Sequence, residues 1–496
     1  MPVLPGSALV SVPSDWRAAC QYPGVLMLTG AVLKPPHSQR AGTSQRGSGT
    51  GDYVASRVRL RVAVAAPWSA LVSRPCPACG SAVGSAAGRG AFQQVPESCE
   101  AGWVATFRAE QFDVRVSDEV LADLRARIRG TRWPGAAPGA PWGQGTDLGY
   151  LRGLLGYWAD GFDWRAQERW LNGFRHFRAG IDGIGVHFVH ERASSGRGIP
   201  LILTNGWPSC FAEFLPLVPL LTDPAAHGID GPGFDVVIPS LPGYGFSERP
   251  ARTGVTCRYT AGLWHRLMRG LGYQRYGAHG SDFGSAVTTF MALDDPAPML
   301  GIHLSNLDLA PYTGPGSRPL SPAERAYRAQ YQRWRDDDRG YGAIQSTRPQ
   351  TVGYGLNDSP AGLAAWILEK WRGWSDSRGD IDATFSRDFL LTVLTLYWAT
   401  QTITSTMRDY ADNRWLAAEL GPADAVTVPT AVAVFAHQFI DDGTPPREWA
   451  ERLYNVLRWT PMPSGGHFPS AEQPDLLSRD IACFFNGLPG AAASPE

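Results

Sequence analysis

The sequence predicts an α/β fold, a mostly parallel, doubly wound sheet with an inserted helical layer. Three observations predict it. Between residues 184 and 310, short apolar runs alternate with helical stretches, the rhythm of βαβ units rather than of hairpins. One run, YGAHGSDFGSA (276–286), feeds a glycine-flanked turn that opens a helix. From Pro311 to about Pro429 the strand rhythm stops and the chain becomes helical and Trp-rich. At 496 residues, 44% of them hydrophobic, the chain is long and apolar enough to bury the core that such a sheet needs.

Taken in order, residues 1–104 stand apart. They are rich in Ser, Gly, Pro and Arg, as in PPHSQRAGTSQRGSGTGD, and read as a low-complexity, disordered extension. VASRVRLRVAVAA (54–66) alternates like a strand but stands alone. Cys76-Pro-Ala-Cys79 has redox or half-zinc spacing, yet no second pair lies at ligand distance, so no metal is expected.

Residues 105–183 form a second segment. FDVRV (112–116) is strand-like. Ser117 then N-caps a helix with Val120, Leu121, Leu124 and Ile128 on one face; Gly130 ends it and Pro134 follows. Tyr150 to Phe177 reads as one or two further helices. Residues 184–310 and 428–488 are the sheet core. Its strands are GVHFVHER, IPLILTNGWP, FDVVIPSLPGYGFS, the run into the glycine turn, GIHLSNLDL and VPTAVAVFAH, and FPSAEQPDLLSRDIACFF carries a terminal helix. Residues 311–427 are the helical lid.

The formal net charge of -1 gives no footprint for nucleic acid or an anionic membrane. No apolar run reaches the ~18 residues of a membrane span, and the N-terminus lacks a basic region followed by an apolar core. A cytoplasmic protein without a membrane anchor is expected. Seven scattered Cys do not read as a disulfide framework. Only two of the 45 basic residues are Lys, Lys34 and Lys370.

The turn has the outer glycines of a nucleophile elbow, Gly280 and Gly284, but Asp282 at its centre. A carboxylate is ionised at neutral pH and attacks without a base. Its target is an sp3 carbon bearing a leaving group, and the alkyl ester formed must then be hydrolysed by activated water. Opening an epoxide and displacing a halide both fit. His467, on the loop MPSGGHFPSAEQP ahead of the terminal helix, is the expected base. His187, His190, His303 and His437 lie in or at the ends of strands and read as structural. In TNGWPSCFAEF, the turn at Gly206 and Pro208 can aim the Trp207 N–H at the carboxylate; the Phe283 N–H is the expected second donor of this oxyanion hole.

From about residue 105 to 486 the chain resembles the microsomal-type epoxide hydrolases, with their α/β-hydrolase fold, N-terminal meander and helical cap. The resemblance rests on RWP (132–134), NGWPS, LPGYGFS, HGSDFGS, LNDSPAGLAAWILEKWRGWSD and SGGHF. It implies conversion of a small-molecule epoxide to a vicinal diol through an ester on Asp282, with no cofactor. It also implies two lid tyrosines that hydrogen-bond the epoxide oxygen, Tyr341 in GYGAIQSTRP and Tyr410 in STMRDYADN. Relatives of this kind serve detoxification or secondary metabolism, and a homodimer is left open.

Two positions depart from the family pattern. Asn205 stands where the oxyanion motif begins with His. Gln438, in Phe435-Ala436-His437-Gln438, stands at the position of the charge-relay acid. An amide accepts a hydrogen bond but does not offset imidazolium charge; in serine proteases the analogous change is worth ~10⁴ in rate. Asp441 or Asp442, and less so Asp308 at the end of GIHLSNLDL, are candidate substitutes. A haloalkane dehalogenase-like hydrolase, or a catalytically impaired ligand-binding homologue, are the competing readings. The two lid tyrosines favour the epoxide.

Overall fold

The computed structural model describes residues 107–438 and 444–489. The expectations for residues 1–104, including the run at 54–66 and the Cys76/Cys79 pair, lie outside the described residues, as do Asp441 and Asp442.

The strands are β1 (Ala109–Phe112), β2 (His176–Ile181), β3 (Ile184–Glu191), β4 (Ile199–Thr204), β5 (Phe234–Pro239), β6 (Tyr276–Gly280), β7 (Met299–Leu304), β8 (Val426–Val434) and β9 (Tyr454–Pro461). They form one sheet in the order β1-β2-β3-β5-β4-β6-β7-β8-β9. The pairs β1·β2, β2·β3 and β3·β5 are antiparallel, and β5 to β9 run parallel. Every residue of β5, β6 and β7 is buried. That is why these runs are continuously apolar rather than alternating: helices cover both faces of a parallel sheet.

Helices α1 (Asp118–Arg129), α2 (Leu148–Asp160) and α3 (Trp164–Leu171) precede the core. α1 begins as its sequence predicts. The Ser117 hydroxyl accepts from the Val120 N–H, Asp118 and Glu119 fill the first turn, and Arg127 and Arg129 fill the last. α4 (Cys257–Gly270) and α5 (Phe283–Asp294) pack on the sheet. Between β7 and β8 come α6 (Pro322–Asp337), α7 (Gly340–Thr347), α8 (Pro349–Asp358), α9 (Pro360–Trp374), α10 (Arg387–Thr400) and α11 (Ile403–Asn413). α12 (Pro474–Asn486) closes the chain.

Three expectations change. FDVRV is not a strand beyond Phe112. The N–H groups of Val114 and Val116 go instead to Asn172 Oδ1 (2.8 Å) and Glu168 Oε1 (2.7 Å), so side chains at the end of α3 take the bonds a ladder would have taken. Tyr150–Phe177 holds two helices, but His176 and Phe177 already belong to β2. The sequence reading also missed β9, a half-exposed edge strand whose Arg458 breaks the apolar pattern in order to pair with Asp480.

The buried histidines read as structural do tie elements together. His303 reaches His279 on β6 (3.0 Å) and Asp480 on α12 (3.0 Å). His187 reaches Ser240 and His176, both at 2.9 Å, and His190 reaches Tyr273. His437 differs in being exposed, with Nε2 3.4 Å from Asp376. Among the described residues, no helix is long and apolar enough to cross a membrane.

Asn172 also donates to the Val114 carbonyl at 2.8 Å. Asn172→Ala therefore strands a backbone donor and acceptor together and is expected to cost about 1–3 kcal/mol, measured by chemical denaturation.

Candidate active site

Asp282 sits between β6 and α5 with φ at 54°. A positive φ is uncommon for a non-glycine residue and is held only where the surroundings enforce it. Here they do. A Cβ on Gly280 would run into the Gly284 carbonyl, and one on Gly284 into the Thr204 carbonyl at the end of β4. Asn306, just past β7, accepts from the Asp282 N–H at 2.7 Å and from the Ser285 hydroxyl at 2.9 Å. The turn is thus fastened to both neighbouring strands.

The two carboxylate oxygens of Asp282 have different partners. Oδ1 accepts from the Trp207 N–H at 2.9 Å. Oδ2 lies 3.3 Å from His467 Nε2. Gly206 is required there, because a Cβ at this position would overlap the Asp282 carboxylate. Phe283 is the first residue of α5, and among the described hydrogen bonds its N–H makes none to the carboxylate. Asn205 is buried and donates to the Gly206 carbonyl at 3.0 Å. It stiffens the turn without touching Asp282.

His467 is held by its backbone, which donates to the Trp374 carbonyl at 2.8 Å. The Trp374 ring stands edge-on to the imidazole, with centroids 5.1 Å apart. On the other side, His467 Nδ1 is 3.3 Å from Gln438 Oε1, and Gln438 Nε2 donates to the Ser305 carbonyl at 3.4 Å. That second bond orients the amide, so its oxygen faces the imidazole. Nδ1 can donate to that oxygen, and Nε2 faces the Asp282 carboxylate. The Ser305 hydroxyl is buried and has no hydrogen-bond partner among the described residues.

Tyr341, on α7, and Tyr410, on α11, stand edge to face with ring centroids 5.8 Å apart. The Tyr341 ring stacks on Trp207 (5.5 Å, 9°), and Tyr410 stands edge-on to Trp207 and Phe283. Burial, first of all, pushes both phenols well above their usual range. The charge of Asp282 adds to this in both, and so does Tyr341 in the case of Tyr410. Both are therefore neutral O–H donors at any working pH.

Asp282, Phe283, Tyr341 and Tyr410 face one cavity of about 430 Å³, also walled by Tyr331 and Trp334. Asp308 and Arg339 face it too. The Asp308 residue is exposed to solvent at the cavity wall, though protein surrounds its carboxyl closely. The enclosure, then the charge of Asp282, pushes its carboxyl up to about 7, while Arg339 and His467 pull it down. This places Asp308 on the cavity wall, while the imidazole Nδ1 faces Gln438. A larger cavity of about 950 Å³ lies between residues 130–146 and the start of α9 and contains none of these groups. Among the described residues, no cluster of His, Cys, Asp and Glu could hold a metal ion.

The family description "Epoxide hydrolase N terminus" matches residues 109–214, and "alpha/beta hydrolase fold" matches residues 199–353. The chain is 42% identical over 376 residues to a Stigmatella aurantiaca protein provisionally named an epoxide hydrolase, covering 75% of this chain and 84% of that protein. The chain belongs to the epoxide hydrolase family. It is 38% identical to epoxide hydrolase 1 of Sus scrofa, covering 76% of this chain and 88% of that one. The juvenile hormone epoxide hydrolase of Bombyx mori superposes with a TM-score of 0.69 at 29% identity, over 75% of this chain and 93% of that one. The Aspergillus niger epoxide hydrolase gives 0.66 at 29% identity, over 76% and 96%. This epoxide hydrolase fold carries the α/β-hydrolase sheet expected from the sequence.

Sequence reasoning did not pick out Asn306, Trp374 or Arg339. Each lies near a recognised motif, but nothing in its residue type marks it.

The raised Asp308 gives a pH prediction. An unfolded Asp ionises near ~3.9, and the folded one near 7. Between those values the folded state binds more protons, so this group lowers stability as pH rises across the window. Asp308→Asn is expected to raise Tm relative to the parent more at pH 8 than at pH 5 in thermal melts.

Proposed function

We propose that this enzyme opens an epoxide by attack of Asp282 and releases a vicinal diol by His467-assisted hydrolysis of the resulting ester. The observation that carries the reading is the divided carboxylate: Oδ1 on the Trp207 N–H, and Oδ2 beside His467 and open to a cavity that two phenols also line.

In the first step, Oδ2 forms a bond to an epoxide carbon and that carbon's bond to the ring oxygen breaks. The departing alkoxide takes a proton from Tyr341 or Tyr410, with the other phenol donating a hydrogen bond. Oδ1 becomes the ester carbonyl oxygen. In the second step, water gives a proton to His467 Nε2 and its oxygen adds to the ester carbon. The negative charge collects on Oδ1, where the Trp207 N–H meets it. Collapse breaks the ester bond, the departing oxygen takes the proton of the added hydroxyl, and the diol leaves with the carboxylate restored and holding one oxygen from water. The proton on His467 returns to the tyrosinate. No step needs a cofactor.

Aromatic walls and a volume of about 430 Å³ suit an apolar epoxide of moderate size. The family named by the relatives points the same way, and the tyrosine pair favours an oxygen leaving group over a halide.

The test is a single turnover in ¹⁸O-water with a simple aryl epoxide. The expected result is unlabelled first-turnover diol and ¹⁸O in the peptide containing Asp282. Unlabelled peptide alongside labelled first diol would sink the ester mechanism. Asp282→Asn should give no adduct, and His467→Gln should accumulate it. Tyr341→Phe or Tyr410→Phe should slow adduct formation by about 10²-fold, the usual scale for one general acid, with the ester hydrolysis rate little changed.

A further inference from the structure

The cavity beside Asp282 carries positive charge that the two-step reaction does not use. Arg335, Arg339 and Arg414 line it. A second cavity, of about 600 Å³, adds Arg325 and Arg328, and Arg335 borders both. Against them stand two carboxyl groups, the nucleophile Asp282 and Asp308. Arg328, Arg335, Arg339 and Arg414 form no ion pair among the described residues. Asp336, Asp337 and Asp338 follow Arg335 in the chain but line neither cavity.

Local structure does not account for Arg339. Arg335 lies in the last turn of α6, where the helix dipole favours a cation. Arg339 immediately precedes α7, at the end of a helix that favours negative charge. Its side chain nevertheless folds over that end: a Cβ on Gly342 would lie 3.2 Å from Arg339 Cγ and 3.4 Å from Nε. The guanidinium stands 5.9 Å from the centre of the Trp334 ring. Burial raises the Asp308 carboxyl and the Tyr331 and Tyr341 phenols, and the Arg339 charge pulls all three back down. Its field therefore reaches the cavity. Asp308 cancels little of it. Burial, then the charge of Asp282, pushes that carboxyl up to about 7, so at neutral pH it carries only part of a charge.

Tyr327, Tyr331 and Arg335 are spaced four residues apart on α6 and so share a face. All three border both cavities. The junction between the cavities is thus two phenol rings followed by a cation.

We propose that the substrate is an epoxide bearing a carboxylate away from its ring, and that Arg335 and Arg339 hold this carboxylate where the two cavities meet. A guanidinium matches a carboxylate with two parallel N–H bonds. The two arginines also offset the repulsion between that carboxylate and Asp282. They set specificity and do not touch the reacting carbon. The inference rests on the two-step reading above and names the substrate class for it.

The test compares matched neutral and anionic probes. Terminal-epoxide alkanoic acids of increasing chain length, and para-oxiranylbenzoate, are each assayed beside their methyl esters. The readout is the ratio of kcat/KM for acid over ester. At the best length the parent should prefer the acid by about tenfold, the scale of one charge-assisted hydrogen bond, with most of the difference in KM. Arg339→Gln and Arg335→Gln should each lower the ratio several-fold, and the double variant should abolish the preference. Arg335→Glu should favour the ester. Added salt should shrink the ratio in the parent and leave it unmoved in the double variant.

An acid no better than its ester at every chain length would overturn the proposal. So would a ratio that none of the variants moves. Equal losses on acid and ester in Arg339→Gln, with the ratio kept, would make Arg339 a support for the Tyr341 helix instead. If Arg339→Gln does not fold, the exposed Arg335 decides by the same ratio. A parent that forms neither adduct nor diol from any probe would instead sink the epoxide reading itself.

Discussion

The structure depends on one close approach. Three glycines let backbone meet backbone around Asp282: Gly280 against Gly284, Gly284 against the end of β4, and Gly206 against the carboxylate itself. No side chain fits at any of these contacts. Their closeness forces Asp282 to φ 54° and puts its oxygens between the Trp207 N–H and His467. The parallel order β4-β6-β7 is what brings these segments to one edge. Asn306 then locks the turn from the far side by taking the Asp282 N–H. The strained residue is affordable because three strands share in holding it.

Much of this was legible in the sequence. The elbow announces itself because glycine spacing and helix onset are local properties, and the fully buried strands announce themselves by unbroken apolar runs. Tyr341 and Tyr410 were legible only through the family resemblance, since a lid tyrosine has no local signature. β1 was misplaced by a few residues because Asn172 and Glu168, over fifty positions away, take the bonds of Val114 and Val116. No window of sequence contains that competition. The task of Asn306 was hidden for the same reason: it is defined by a partner brought in by topology.

Lys370 shows how composition can carry a signal that only structure explains. In a chain that otherwise uses Arg almost throughout, this buried Lys is one of two. Its ammonium lies 4.6 Å from the centre of the Tyr341 ring and 5.8 Å from that of Trp374, and pairs with Glu369. An ammonium is a compact point charge, and a guanidinium is a broad planar fork. Between two rings that also border the phenol pair and His467, the smaller cation fits without spreading them.

The lid does more than cover the site. Trp374, at the end of α9, accepts the His467 N–H through its carbonyl, and Asp376 two residues on accepts the Gly465 N–H at 3.2 Å. Glu472, from the base side, accepts the N–H groups of Asp376 and Phe468 at 2.8 and 2.9 Å. The base loop and the lid are therefore laced together by three hydrogen bonds, and the bond from Phe468 to Glu472 holds that carboxylate from within its own segment. Lifting α9 would strand those backbone groups and release the imidazole from its place beside Asp282. A substrate that reaches Asp282 without that cost must come along the cavity wall formed by α6 and α7. There a second cavity of about 600 Å³ shares Asp308, Tyr327, Tyr331 and Arg335 with the first. The lacing thus holds His467 beside Asp282 and leaves access to the α6 side.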